Sequence, residues 1–174
     1  MPTSLLIETF EPLAWINEYT HSIPPISATE FAPILQFSLM WSLFERDACN
    51  KRANTGSIKS AVEKSFSEGK LLIETFQDHI QYFKDRANNN EMTVSKYLVA
   101  LKMDKESIEL VDRFLSGKLS DANNVVLALL LITYRIRNNL FHGEKEVISL
   151  HSQTKLFQVV NSLLATYLKV TKNA

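Results

Sequence analysis

An arginine and a histidine near the carboxyl end of the chain stand at a spacing suited to phosphate chemistry. Arg137 is followed by Asn138, and four residues separate Arg137 from His142. A guanidinium group binds phosphate oxygens in bidentate geometry, and an imidazole can exchange a proton near neutral pH. These two residue types are the ones that phosphate binding and proton transfer require.

If the segment is helical, its spacing places several polar side chains of the motif on one helix face. Asn138 and His142 are four residues apart and share a helix face, and Tyr134 lies one turn earlier on that stripe. Arg137 lies beside the stripe. We expect His142 to end the helix, because Gly143 follows it at the position where glycine commonly terminates helices. At that end the helix dipole favours a charged imidazolium.

The segment from Tyr134 to Gly143 resembles the motif of the HEPN superfamily (higher eukaryotes and prokaryotes nucleotide-binding). Members carry an arginine, usually followed by a polar residue such as asparagine, and a histidine a few residues later. The following Gly143-Glu144-Lys145 is similar to the sequence at this place in bacterial members. The segment 39–45 is similar to an early helix of some of them, in which an acidic residue approaches the arginine; here that residue is Glu45.

This resemblance implies an all-α fold and metal-independent cleavage of RNA. The ribose 2′-hydroxyl would attack the adjacent phosphate and leave a cyclic phosphate and a free 5′-hydroxyl. Arg137 would stabilise the developing negative charge and His142 would transfer a proton, with Asn138 orienting His142 or the substrate. Since each chain has one histidine in the motif, we expect a homodimer that brings two motifs together.

Further roles follow from the same resemblance. Glu45 would orient the Arg137 guanidinium, Tyr134 would support the motif, and Arg135 and Lys145 would form an RNA-contacting rim. The implied settings are toxin–antitoxin and phage-defence systems, with RNA as substrate and an antitoxin or defence protein as a partner.

Each assignment has a plainer alternative. Asparagine, histidine and glycine are ordinary residues at a helix end, and Asn138 could satisfy local backbone groups. Glu45 could simply begin a solvated polar run, and Arg135 and Lys145 could serve only solubility. The fold could also be a non-catalytic interaction scaffold or a nucleotide-binding module.

The composition limits the function further. Lysine and arginine total 19, and so do aspartate and glutamate, so the chain lacks the basic excess typical of proteins that hold nucleic acid by bulk charge. RNA binding would need a local patch or a dimer groove. Cys49 is the only cysteine, and no histidine has partners at metal-ligand spacing. We expect no metal, no cofactor, no membrane span and a cytoplasmic location.

Apolar residues recur at helical spacing throughout the chain, which predicts an all-α, up-and-down bundle of about five to seven helices. We expect one domain over 1–174, with its core at about 27–170 and the first helix as an addition. Pro12 would kink that helix, and Pro33 would delay regular hydrogen bonding in the second by one turn. Because apolar residues surround almost the whole second helix, we expect it to be the central buried one. The predicted helices cover about 3–20, 27–44, 58–86 with a break at Gly69, 94–101, 105–115, 121–142 and 152–170. Ser27 and Glu30 have the spacing of a capping box at the start of the second helix.

Overall fold

The computed structural model describes residues 10–89, 103–141 and 151–172, and these segments form a bundle of α-helices without strands. This confirms the all-α prediction. The 3₁₀ turns Ile73–Phe76 and His151–Gln153 precede two of the helices. The described helices are α1 (Pro12–Tyr19), α2 (Ala28–Ala48), α3 (Thr55–Ser67), α4 (Gln77–Asn89), α5 (Lys105–Leu115), α6 (Ala122–Phe141) and α7 (Thr154–Lys172).

Side-chain caps begin four of these helices. The predicted capping box of α2 is present: the Ser27 hydroxyl accepts from the Glu30 N–H, and the Glu30 carboxylate accepts from the Ser27 N–H. Asp104 caps α5, and Asp121 accepts from the Asn124 N–H at the start of α6. Asn54 caps α3, so this helix begins three residues before the predicted position 58.

Glycines separate the helices where the sequence predicts breaks. Gly69 has φ +69° and follows α3, which confirms the break predicted inside 58–86. Gly117 has φ +73° in the turn between α5 and α6. A side chain at either position would strain the backbone, because only glycine adopts positive φ readily. The predicted helix at 94–101 lies outside the described residues.

The central helix is α6. The apolar circumference of α2 had predicted that α2 would be the central helix. Every residue from Val125 to Thr133 is buried, and Val126, Leu129 and Ile132 are fully enclosed. Helices α3, α4 and α5 and the turn Ile73–Phe76 pack around α6. The apolar run of α6 therefore reflects enclosure by other helices. No described helix combines the length and hydropathy that crossing a bilayer demands.

Helices α2 and α7 run side by side in the same direction. The Thr154 hydroxyl donates to the Glu30 carbonyl near the start of both helices, at 3.2 Å. Towards their ends, the rings of Phe44 and Tyr167 meet edge to face with centroids 5.8 Å apart. The parallel pairing gives α2 one buried face, which carries Ile34, Phe37, Trp41 and Phe44.

Prolines affect α1 and α2 differently from the expectation. Helix α2 begins at Ala28 and continues through Pro33, so its hydrogen bonding is not delayed to a later turn. Asn161 of α7 donates to the Pro33 carbonyl at 2.9 Å, which links the two helices at this point. Pro12 stands at the first position of α1, where its missing N–H costs nothing, and it does not kink the described helix.

The face of α2 that points away from α7 is apolar and exposed. Leu35 is 58% exposed, Leu39 is 71% exposed and Leu43 is 39% exposed. These residues recur every fourth position and form a stripe about half a turn from Trp41. We call this surface the leucine stripe. Apolar residues surround α2 as the sequence shows, but the leucines of this stripe remain exposed to solvent in the single chain.

We predict that replacing a core residue of α6 is far more destabilising than replacing an exposed leucine. Leu129→Ala leaves a cavity at a fully buried position, and we expect it to lower the free energy of unfolding by about 2–5 kcal/mol. Leu72→Ala removes a side chain that is 62% exposed, and we expect a change below about 0.5 kcal/mol. Urea unfolding measures both. Similar values for the two variants would contradict the central position of α6.

Candidate functional site

The predicted motif occupies the part of α6 that emerges from the core. After Thr133, which is fully buried, Ile136 is the one buried residue up to Leu140. Tyr134, Arg135, Arg137 and Asn138 are half-buried. The last turns of α6 thus hold polar side chains on a rigid helix while leaving them partly open to solvent. That placement suits groups that must contact a ligand.

Arg137 and Asn138 contact each other directly. Nη1 of Arg137 donates to Oδ1 of Asn138 at 3.3 Å. This bond fixes part of the guanidinium group, which can bind phosphate through parallel N–H donors once its plane is set. The structure therefore brings together two of the three residues predicted to be catalytic.

An aromatic pair holds the beginning of the motif. The ring of Tyr134 stacks on Trp41 of α2, with centroids 6.0 Å apart and an interplanar angle of 21°. Trp41 is buried and packs in turn on Phe44, with centroids 5.2 Å apart. Stacking of this kind adds stability beyond the buried area. Tyr134 thus joins α6 to α2, a supporting role consistent with its predicted place. No local sequence pattern predicts this contact between Trp41 and Tyr134.

Arg135 lies on a different side of α6 from Arg137. A step of two residues along an α-helix turns the side chain by about 200°. Arg135 lines a crevice of about 30 Å³ together with Tyr134, Thr55 at the start of α3 and Asp104 at the start of α5. The structure therefore does not group Arg135 with the Arg137–Asn138 pair, although both are half-exposed.

The described contacts of Glu45 are local. Its carboxylate accepts from the Ala53 N–H at 3.2 Å, and its carbonyl accepts from the Lys51 N–H at 2.7 Å. These bonds fasten the end of α2 to the loop before α3. Among the residues that the structure describes, no ion pair involves Glu45. The expected contact between Glu45 and Arg137 remains a prediction.

Other residues of the predicted site lie outside the described segments. His142 follows directly after the last described residue of α6, and Lys145 falls within 142–150. The predicted helix end at Gly143 lies in the same range. The structure thus places Tyr134, Arg135, Arg137 and Asn138, together with Glu45.

Two further reactive residue types within the described segments are buried. His79 Nε2 lies 3.2 Å from the Ser162 hydroxyl, and burial lowers the pKa of His79 although Asp78 acts in the opposite direction. Burial raises the pKa of Cys49 to about 11, so its thiol stays protonated at neutral pH. Neither residue is placed as an exposed nucleophile or proton-transfer group. Within 10–89, 103–141 and 151–172, no three histidine, cysteine or acidic side chains are grouped to bind a metal ion.

Comparison with protein-family models, with curated proteins and with solved structures finds no match to this chain.

We predict that the Tyr134 ring stabilises the junction between α2 and α6. Tyr134→Ala removes the stacking on Trp41 and part of the buried surface, so the free energy of unfolding should fall by at least about 1 kcal/mol. Tyr134→Phe keeps the ring and should stay close to wild type. Chemical denaturation of both variants is the measurement. A Tyr134→Ala protein as stable as wild type would rule out this supporting contact.

Proposed function

We propose that this chain is a metal-independent endoribonuclease of HEPN type that acts as a homodimer in the cytoplasm. The observation that carries the proposal is the Arg137–Asn138 pair, which is hydrogen-bonded and half-buried on the end of α6 that emerges from the core. A rigid arginine that solvent can reach is suited to binding a phosphate group. The resemblance of the motif to HEPN sequences supplies the reaction.

In this reaction the 2′-hydroxyl oxygen of RNA forms a bond to the adjacent phosphorus atom. The bond from phosphorus to the 5′-oxygen breaks, and the products are a cyclic phosphate and a 5′-hydroxyl. Arg137 stabilises the negative charge that develops on the phosphate oxygens, and Asn138 holds the guanidinium. His142 transfers a proton at the attacking or leaving oxygen. Two histidines, one from each protomer, would supply both a base and an acid.

The leucine stripe supports the homodimer. No charged side chain lies on α2 between Glu30 and Glu45, so the exposed positions Leu35, Leu39 and Leu43 can be buried without desolvating a charge. Leu39 is the middle residue of the stripe. If two copies of α2 pair antiparallel about a two-fold axis, that axis passes close to Leu39.

Helix α6, which carries the motif, contacts α2 on the side opposite the leucine stripe. Trp41 is on the opposite side of α2 from the leucine stripe, and its ring stacks on Tyr134. A second copy on the stripe would therefore bind the face of α2 opposite the one that supports Tyr134. We propose that dimerisation through α2 and ribonuclease activity are coupled. The implied setting is toxin–antitoxin or phage defence, where an antitoxin or defence protein would restrain the activity.

We predict that the motif residues are needed for RNA cleavage. With total RNA and no divalent metal, Arg137→Ala should lower the cleavage rate at least about 100-fold, because it removes the charged donor to the phosphate. His142→Ala should cause a comparable loss. Asn138→Ala should reduce the rate less, since it removes only the hydrogen bond that orients Arg137.

The matched control is Arg113→Ala, which removes an exposed arginine of α5 outside the motif. It should cleave RNA at the wild-type rate. The proposed activity is rejected if the wild type cleaves no RNA, or if the Arg137→Ala and His142→Ala proteins are as active as the control. A stable dimer without cleavage would favour the non-catalytic scaffold.

We predict separately that the leucine stripe forms the dimer interface. Leu39→Glu places a charge at the proposed two-fold axis and should convert a dimer into a monomer in size-exclusion chromatography with light scattering. Leu72→Glu, at an exposed leucine outside the stripe, should leave the dimer intact. A monomeric wild type, or a dimer that tolerates Leu39→Glu, would contradict this interface.

A further inference from the structure

A large polar cleft lies where the ends of α2 and α7 meet α3. Its volume is about 840 Å³, which is in the range of small-molecule sites in proteins. The end of α2 provides Arg46 and Asp47, α3 provides Lys64, and the end of α7 provides Lys172. None of the motif residues that the structure describes lines this cleft. We call it the basic cleft.

The charged side chains of the basic cleft form two triads. Asp47 accepts two hydrogen bonds from Arg46, at 2.6 and 2.9 Å, and Lys172 lines the same cleft. The hydrogen bonds from Arg46, and to a smaller extent the charge of Lys172, lower the pKa of Asp47. Glu68 lies 2.7 Å from Lys70 and 4.0 Å from Lys64.

Each triad has two cations and one carboxylate, so each has a net charge of +1. Four cations thus face two carboxylates in the cleft, although the whole chain has a net charge of zero.

Both triads line the same cleft, and a lysine of one contacts the backbone next to a lysine of the other. Lys70 Nζ donates to the carbonyl of Thr171 at 3.2 Å, and Thr171 precedes Lys172 of the other triad. Lys70 is also paired with Glu68, so this ammonium group is held in place between α3 and α7. A cation fixed in this way loses little conformational entropy when an anion binds beside it.

The uncharged lining indicates which part of a ligand the cleft can recognise. Ser60 and Asn50 line the cleft and can donate hydrogen bonds to oxygen atoms, whereas the hydroxyls of Ser57 and Thr171 already donate to backbone carbonyls. The aromatic residue in the lining, Tyr167, is 1% exposed and its hydroxyl lies 3.2 Å from the Ser65 hydroxyl. No aromatic face in the lining is therefore open for stacking a nucleobase.

We propose that the basic cleft binds a small compound with two neighbouring phosphate groups, such as inorganic pyrophosphate or a bisphosphorylated polyol. One triad contacts each phosphate, and the Ser60 and Asn50 side chains contact the remaining oxygens. The lysines supply charge-assisted hydrogen bonds, which are the strongest available to a phosphate in water. The described motif residues lie outside the basic cleft, and this proposal does not depend on the proposed ribonuclease activity.

The test is isothermal titration of the full chain with inorganic pyrophosphate at low ionic strength. We expect wild type to bind, and Lys64→Gln and Lys172→Gln each to weaken the Kd about tenfold, as loss of a charged hydrogen bond does. Both residues are exposed, so neither replacement should disturb folding. Circular dichroism checks this. Inorganic phosphate, which can contact only one triad, should bind at least about tenfold more weakly than pyrophosphate.

The matched control is Lys59→Gln. Lys59 is also an exposed lysine of α3, but its partner is Glu106 at 3.4 Å, outside the basic cleft. This variant should bind pyrophosphate like wild type. The proposal is overturned if wild type shows no binding, if Lys59→Gln weakens binding as much as Lys64→Gln, or if phosphate and pyrophosphate bind equally well. It is also overturned if a single-stranded oligonucleotide binds the cleft more tightly than pyrophosphate. In that case the triads would serve an RNA backbone.

Discussion

The enclosure of α6 is the constraint on which the rest of this molecule depends. Nine consecutive residues, from Val125 to Thr133, are buried, so their backbone groups have no access to water and must hydrogen-bond within the helix. Even the Thr133 hydroxyl donates to the Leu129 carbonyl, at 3.0 Å. Helices α3, α4 and α5 pack against this apolar segment. The later turns of α6 emerge from this enclosure, and they carry Arg137 and Asn138.

Helix α2 links the core, the motif and the proposed assembly. Its inner face packs along α7 and supports Tyr134 through Trp41, whereas its outer face exposes the leucine stripe. A helix that is apolar on both sides needs a partner on both sides. Among the described residues, the inner side has such a partner in α7. A second copy would cover the outer side, which lies across α2 from the contact with the motif helix.

The sequence predicts local features well because their causes are local. The Ser27–Glu30 capping box, the break at Gly69 and the start of α6 beside Asp121 each depend on residues a few positions apart, and each is confirmed. The identity of the central helix was predicted wrongly. The apolar circumference of α2 shows how much cover the helix needs, but it does not show whether that cover comes from its own chain. The opposite sides taken by Arg135 and Arg137 follow from helical spacing, yet the contact of Trp41 with Tyr134 depends on tertiary packing that no local pattern encodes.

The central claim is that the motif cleaves RNA by attack of a ribose 2′-hydroxyl. The most direct measurement uses an RNA oligonucleotide that the protein cleaves at one position, together with the same oligonucleotide carrying a single 2′-deoxyribose at the attacking nucleotide. Both are incubated without divalent metal, and the products are analysed by mass spectrometry. Attack by the 2′-hydroxyl predicts a cyclic phosphate and a 5′-hydroxyl from the first strand, and no cleavage of the second strand at that position. Equal cleavage of both strands would contradict it.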